Sequence, residues 1–197
     1  MLSVIFLIIA LKISNTDYAT YFEGAKFIHF LLGPVTVALA FPLYKQFKQV
    51  KRLLIPIFAS MTIGIVIGTL SVLLIAKLLG ADLATQLSLS ARSVTAPVAM
   101  GIAENIGGIP SLTAVFAVLT GIVGAVVGMQ FLNFLNIKKN SIQEIAIGNS
   151  AHGIDTANAL TINDEMGAFS GLAMALAALL NALLIPWLLA LFLLISN

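Results

Sequence analysis

Residues Ser90 to Pro110 read SARSVTAPVAMGIAENIGGIP. The run is apolar enough for lipid, yet it carries Arg92 near its start, Pro97 in its middle and Gly107-Gly108 near its end. Two other stretches share this texture: LLGPVTVALAFPLY from Leu31 to Tyr44, and GNSAHGIDTANAL from Gly148 to Leu160. Each sets Gly, Pro, Ser or Thr where a membrane helix would carry Leu. Proline removes a helical hydrogen bond and clashes with the preceding turn, so Pro34, Pro42 and Pro97 are expected to leave carbonyls unpaired. Such backbone is tolerated at membrane depth only where protein buries it or water reaches it. Gly- and Pro-interrupted apolar segments in pairs point to a transporter site at the midplane, where half-helix N-termini suit an anionic group. The strings at Val35-Thr36 and Val94-Thr95 add a faint internal similarity, compatible with an inverted repeat.

The remainder of the chain sets these stretches in lipid. Of 197 residues, 60% are hydrophobic and only 9% charged, and mean hydropathy is +1.08. A soluble domain is about a quarter charged. The composition therefore excludes a soluble enzyme, a secreted disulfide scaffold and a disordered tail. A net charge of +2 gives no reason to expect nucleic acid. Cys is absent and His occurs twice, so thiolate chemistry is excluded and ligands for a metal cage or cofactor are too few. The apolar runs are continuous rather than alternating, which excludes an outer-membrane barrel. Backbone groups in lipid pair within their own segment, so the spans are helices and the fold class is an all-α polytopic bundle with broken or re-entrant helices. We read residues 1–197 as a single integral membrane domain.

The apolar stretches are Leu2–Ile13, Phe27–Tyr44, Leu53–Leu79, Ser93–Ala103, Leu112–Ile137, Ile145–Ile162 and Ala168–Ile195. A span needs about 20 residues, and Leu53–Leu79, Leu112–Ile137 and Ala168–Ile195 qualify. The first stretch has the length of a leader but neither a basic start nor an A-x-A site, so it reads as a short span or the stub of one. Lys45, Lys48, Lys51 and Arg52 form one basic loop and Lys138-Lys139 another, and basic loops stay cytoplasmic. With both on that side, Ser93–Ala103 enters and leaves by one face as a re-entrant hairpin. The rival is a broken crossing from Ala84 to Glu104.

Single residues carry two readings each. Arg92 is a functional cation or an interfacial side chain snorkelling to headgroups. His152 and Asp155 lie three apart, on one face of a continuous helix, and with Thr156 and Asn158 make a polar patch. That patch is a proton or substrate relay or a structural hydrogen-bonded set. His29 reads as interfacial. Gly121, Gly124 and Gly128 read as a packing face, as do Gly64 and Gly68. Glu104-Asn105 before Gly107-Gly108 looks like a helix end. Trp187, Tyr18 and Tyr21 fit interface anchors. A lone H-x-x-D without a second His or any Cys is too little for an enzyme.

The strings Y-F-x-G at Tyr21–Gly24, G-P-x-x-V-A-L-A-x-P-L-Y at Gly33–Tyr44, S-V-T-x-P-x-A-M at Ser93–Met100, I-G-G-I-P at Ile106–Pro110, A-H-G at Ala151–Gly153 and G-A-F-S at Gly167–Ser170 occur in one order. In this the chain resembles the LrgB/CidB family of bacterial membrane proteins. Two features depart from the family pattern. Where that family shows H-G-x-G-T-A-R, this chain has Asp155 at the second Gly and Asn158 at the Arg. Members also carry a further apolar helix ahead of the one matching Leu2–Ile13.

The resemblance implies a multi-pass protein of the bacterial cytoplasmic membrane. It implies either holin or antiholin action on murein hydrolase export and autolysis, or carriage of small monocarboxylates such as glycolate, glycerate or pyruvate. It also implies a small LrgA/CidA-like partner. The carrier is the leading expectation, with holin-like action as the alternative, and it gives roles. Backbone N–H groups near Gly33, Thr36 and Thr95 take the carboxylate with Arg92. Ser93, Thr156 and Asn158 supply hydrogen bonds, and His152 and Asp155 handle a coupled proton or ion. The expected partners are a small anionic substrate, the lipid bilayer and further copies of the chain.

Overall fold

The structure, a computed structural model, describes residues 2–17, 20–27, 30 and 40–196, with side chains omitted at 2–5, 40, 42, 43, 154 and 196. No strand occurs among the described residues. Gly33, Pro34, Thr36 and His29 therefore lie outside the description, and with them most of the first interrupted stretch.

The chain divides into two compact units, Met1–Phe41 and Pro42–Asn197. The first unit holds α1, Leu2–Ile13, and α2, residues 20–27. At 1.5 Å per residue α1 is about 18 Å long, well short of the roughly 30 Å hydrocarbon layer. Helix α3, Ala40–Lys45, lies at the boundary. Pro42 falls in its first turn, where an N–H has no partner in any case.

The second unit contains α4, Phe47–Leu78; α5, Leu83–Ser90; α6, Ala96–Ile106; α7, Pro110–Phe134; α8, Asn140–Ile162; and α9, Asp164–Ser196. Helices α4, α7 and α9 are long and apolar enough to cross a membrane, and they coincide with the three long stretches of the sequence. Lys48, Lys51 and Arg52 belong to the first turns of α4 rather than to a loop. The buried residues of α4 are Val50, Ile57, Met61, Ile65, Thr69, Leu73 and Ala76, a stripe spaced by three, four or seven. One face of α4 thus meets protein. Its other face exposes Ile55, Ile63, Ile67 and Leu74, a surface suited to acyl chains and not to water.

Two segments turn back before crossing. The first is α5 and α6. Ser88 Oγ donates to the Ala84 carbonyl at 2.7 Å and accepts the Ile109 N–H at 2.8 Å. A methyl at Gly108 would stand 3.1 Å from the Ser88 nitrogen, so only Gly permits the approach. Gly107 ends α6 in the left-handed region at φ 81°, a position that suits Gly. The chain thus leaves Ser88 and returns to it after α6. Ala84 and Glu104 lie at most about 25 Å apart by this closure, too close for a crossing. Pro97 interrupts nothing. It occupies the first turn of α6, after Thr95 at the N-cap, where proline is favoured.

The second turning segment is α8, whose backbone departs from helical geometry at His152 with φ 50° and ψ −130°. Before the break, α8 runs parallel to α4: Lys139, Ser141 and Ile142 share a cavity with Leu53 and Ile57, and Asn149 reaches Gly64. After the break the chain is back at the start of α4. Asp164 takes a 2.8 Å ion pair from Lys45, and Glu165 accepts from Gln49 at 3.0 Å. From Gln49 to Gly64 is about 22 Å of helix, and the chain retraces that distance between Asn149 and Glu165. Residues Asn140–Ala151 and Gly153–Ile162 are thus the two limbs of a hairpin with His152 at its tip.

Each hairpin follows a long helix, α4 or α7, and the two start from opposite ends of the bundle. The connectivity is that of an inverted repeat of helix plus hairpin, with α9 added.

Candidate functional site

The two tips meet. Val94, Thr95 and Ala96 from the first hairpin and Ala151, His152 and Gly153 from the second line one cavity of about 220 Å³. Its floor is Ala117, Val118 and Gly121, halfway along α7. Asn181 of α9 lies beside the first tip, its amide donating to the Ala177 carbonyl at 2.8 Å and reaching the Ser93 carbonyl at 3.4 Å.

The small residues read as a packing face make this approach possible. A methyl at Gly124 would lie 3.1 Å from the Ala151 Cβ, and one at Gly128 would lie 3.3 Å from Ile147. Gly148 is pressed on α9, 3.0 Å from the Ser170 carbonyl oxygen by the same measure. Gly68, by contrast, faces open space. Packing on both sides of residues 147–151 holds His152 in a conformation that only Gly adopts without strain. Such a position costs about 1–3 kcal/mol and persists where its surroundings over-determine it.

The break separates His152 from Asp155, which a continuous helix would have placed on one face. His152 stays at the tip, buried, with Nε2 free of any hydrogen-bond partner. Asp155 turns toward α9 and accepts from Ser170 Oγ at 3.2 Å. Thr156 Oγ1 donates to the His152 carbonyl at 3.0 Å and lies 3.0 Å from Ser170 Oγ. Into this group points Glu144, one turn before Gly148. It is 1% exposed, its carboxyl faces Asp155 and Ser170, and neither oxygen has a partner in hydrogen-bonding geometry. Eleven residues of straight helix, about 16 Å, would keep these two carboxyl groups apart, so their meeting is itself a product of the hairpin.

Other candidates lie elsewhere. Arg92 is half-buried beside the first tip, but its guanidinium reaches back to the Leu89 carbonyl at 3.4 Å and does not line the cavity. Asn158 is exposed on the far limb of α8, with Thr161 bonded to its carbonyl. Ser93 and Thr95 are half-buried at the tip. Thr95 caps α6 without a side-chain hydrogen bond, and the N-terminus of that helix opens on the cavity, where free N–H groups and the positive dipole end suit a negative group. Glu144 and Asn181 were not singled out in the sequence. Glu144 had a signal: it is an ionisable residue one position before the apolar stretch that begins at Ile145. Asn181 had a fainter one, as an amide deep in an apolar run. No group of three or more His, Cys, Asp or Glu gathers among the described residues.

A family model described as LrgB-like matches residues 1–191. The holin-like protein CidB of Staphylococcus epidermidis is 33% identical over 98% of this chain and 84% of its own length. CidB of Staphylococcus aureus is 34% identical over 94% and 81%. The Bacillus subtilis protein YxaC is 37% identical over 93% and 81%. No solved structure matches. Length, order and identity agree across nearly the whole chain, which belongs to the LrgB-like family of membrane proteins.

Proposed function

We propose that this chain is a holin-like protein of the bacterial cytoplasmic membrane, whose assemblies modulate the export of murein hydrolases. The observation that carries this reading is its extended similarity to proteins named holin-like CidB. The cavity between the tips measures only about 220 Å³. It cannot pass a protein, so this function requires several copies of the chain, or an LrgA/CidA-like partner, around a larger opening. Expression in a bacterium lacking its own LrgB-like proteins, followed by assay of murein hydrolase activity in the medium, tests it. A change relative to the empty vector is expected. Unchanged release with the protein present in the membrane, with and without an LrgA-like partner, contradicts it.

A second reading is favoured by one specific observation, the meeting of two opposed helix interruptions at mid-bundle. That arrangement supports passage of a small monocarboxylate, in the size range of pyruvate or glycolate, coupled to an ion. The N-terminus of α6 at Thr95 would take the carboxylate, with Ser93, His152 and Thr156 around it. His152 and Asp155 would handle the coupled ion, while Gly33 and Thr36 lie outside the described residues and Arg92 and Asn158 lie away from the cavity. Uptake of labelled pyruvate or glycolate into proteoliposomes tests it. Uptake above empty liposomes that falls tenfold or more in Thr95→Pro is expected. Absence of uptake, alone and with an LrgA-like protein, leaves the first reading standing.

A further inference from the structure

Two carboxyl groups that face one another out of water, with no cation in contact, require at least one positive charge between them. Glu144 and Asp155 are such a pair. They are 1% and 5% exposed, and neither takes part in an ion pair among the described residues. The side chains against them, Ser170 and through it Thr156, offer oxygen. Ser170 Oγ lies 3.2 Å from Asp155 Oδ2 and 3.0 Å from Thr156 Oγ1. Oxygens that share a hard cation at about 2.3–2.6 Å sit roughly 3.3–3.7 Å from one another in octahedral arrangement, a few tenths of an ångström beyond these hydrogen-bonded separations. Thr156 spends its proton outward on the His152 carbonyl and Ser170 donates to Asp155 within the group, which leaves lone pairs on both hydroxyls for an ion.

Glu144 supplies the independent evidence. Both of its oxygens are buried without a donor and are aimed at this group. A buried carboxylate left so is costly unless something absent from the protein itself completes it. The oxygen-only donors disfavour a transition metal, which prefers nitrogen or sulfur. Two carboxylates with two hydroxyls fall short of the six to eight oxygens that calcium takes. Magnesium keeps several waters, which carboxylates only 1% and 5% exposed disfavour, and a monovalent hard cation is left.

We propose that Glu144, Asp155, Thr156 and Ser170 form a sodium site, assembled by the α8 hairpin and closed by α9. The site joins the two limbs of the hairpin to the helix behind them, so occupancy locks the His152 tip in place. It does not depend on which solute, if any, passes the tips.

The test uses the full chain in detergent, free of any solute. Thermal unfolding is followed while sodium chloride replaces choline chloride at constant ionic strength. Sodium is expected to raise Tm saturably by about 5–10 °C at a hundred times its Kd, potassium to raise it less, and Glu144→Gln to abolish the shift. Radioactive sodium binding to the wild type by equilibrium dialysis, near one ion per chain, keeps the proposal testable if the variant fails to fold. A Tm that responds to pH but to no cation would mean a shared proton only, and overturns the proposal. So does a sodium shift undiminished in Glu144→Gln, or dialysis showing no bound ion.

Discussion

The two hairpins do the same job by different means. The first is turned by local signals: Thr95 and Pro97 start α6, Gly107 stops it in the left-handed region, and Ser88 fastens the ends. The second has no such punctuation at its tip. His152, neither Gly nor Pro, takes φ 50° because Gly124, Gly128 and Gly148 let α7 and α9 clamp the residues before it. One turn is written into the neighbouring residues, and the other is imposed by packing at a distance. The polar atoms follow the same division. No buried side-chain atom of the first hairpin lacks a partner among the described residues, whereas the second leaves the Glu144 oxygens and the His152 Nε2 unpartnered.

That contrast can be broken by substitution, with thermal unfolding in detergent as the readout. The largest loss is expected for Gly148→Ala, whose methyl meets the Ser170 backbone at 3.0 Å. Overpacking of this kind costs about 1–3 kcal/mol. Gly68→Ala, in open space, should be neutral or slightly stabilising. Equal losses at both sites would show that the clamp is not what holds the second hairpin. Next, the two hairpins should respond oppositely to glycine. Gly107→Ala forces a Cβ into the left-handed region and should cost about 1–2 kcal/mol. His152→Gly relieves strain and should leave Tm unchanged or raised. A clear fall in His152→Gly would mean that the imidazole contributes more than its backbone costs. Ser88→Ala removes the acceptor for the Ile109 N–H and should cost about 1–2 kcal/mol. The smallest effect belongs to Lys45→Ala. Its ion pair with Asp164 is about half exposed on both sides and is worth about 0.2–1 kcal/mol at low salt.

The sequence was informative where one segment decides its own state. The apolar runs in α4, α7 and α9 identify themselves by length, the glycine face on α7 by its spacing, and the end of α6 by Gly107-Gly108. Re-entry of Ser93–Ala103 followed from keeping both basic clusters on one side. Long-range features were less legible. Pro97 was read as a helix breaker because proline has two opposite meanings, and its position relative to the N-cap separates them. His152 and Asp155 were placed on one face because three-residue spacing assumes an unbroken helix, and nothing at His152 itself announces the break. Glu144 was passed over because its significance depends on a partner eleven residues away, which only the hairpin brings near.

The absence of Cys from the chain allows the meeting of the tips to be measured directly. Thr95→Cys and Gly153→Cys are introduced together and treated in native membranes with a short thiol cross-linker, then the chain is cleaved between the two positions. Opposed hairpins predict that the fragments stay joined, and that a Thr95→Cys, Leu194→Cys control separates. Fragments that separate in the first pair, despite free reactivity of each thiol alone, would place the tips apart and remove the shared cavity.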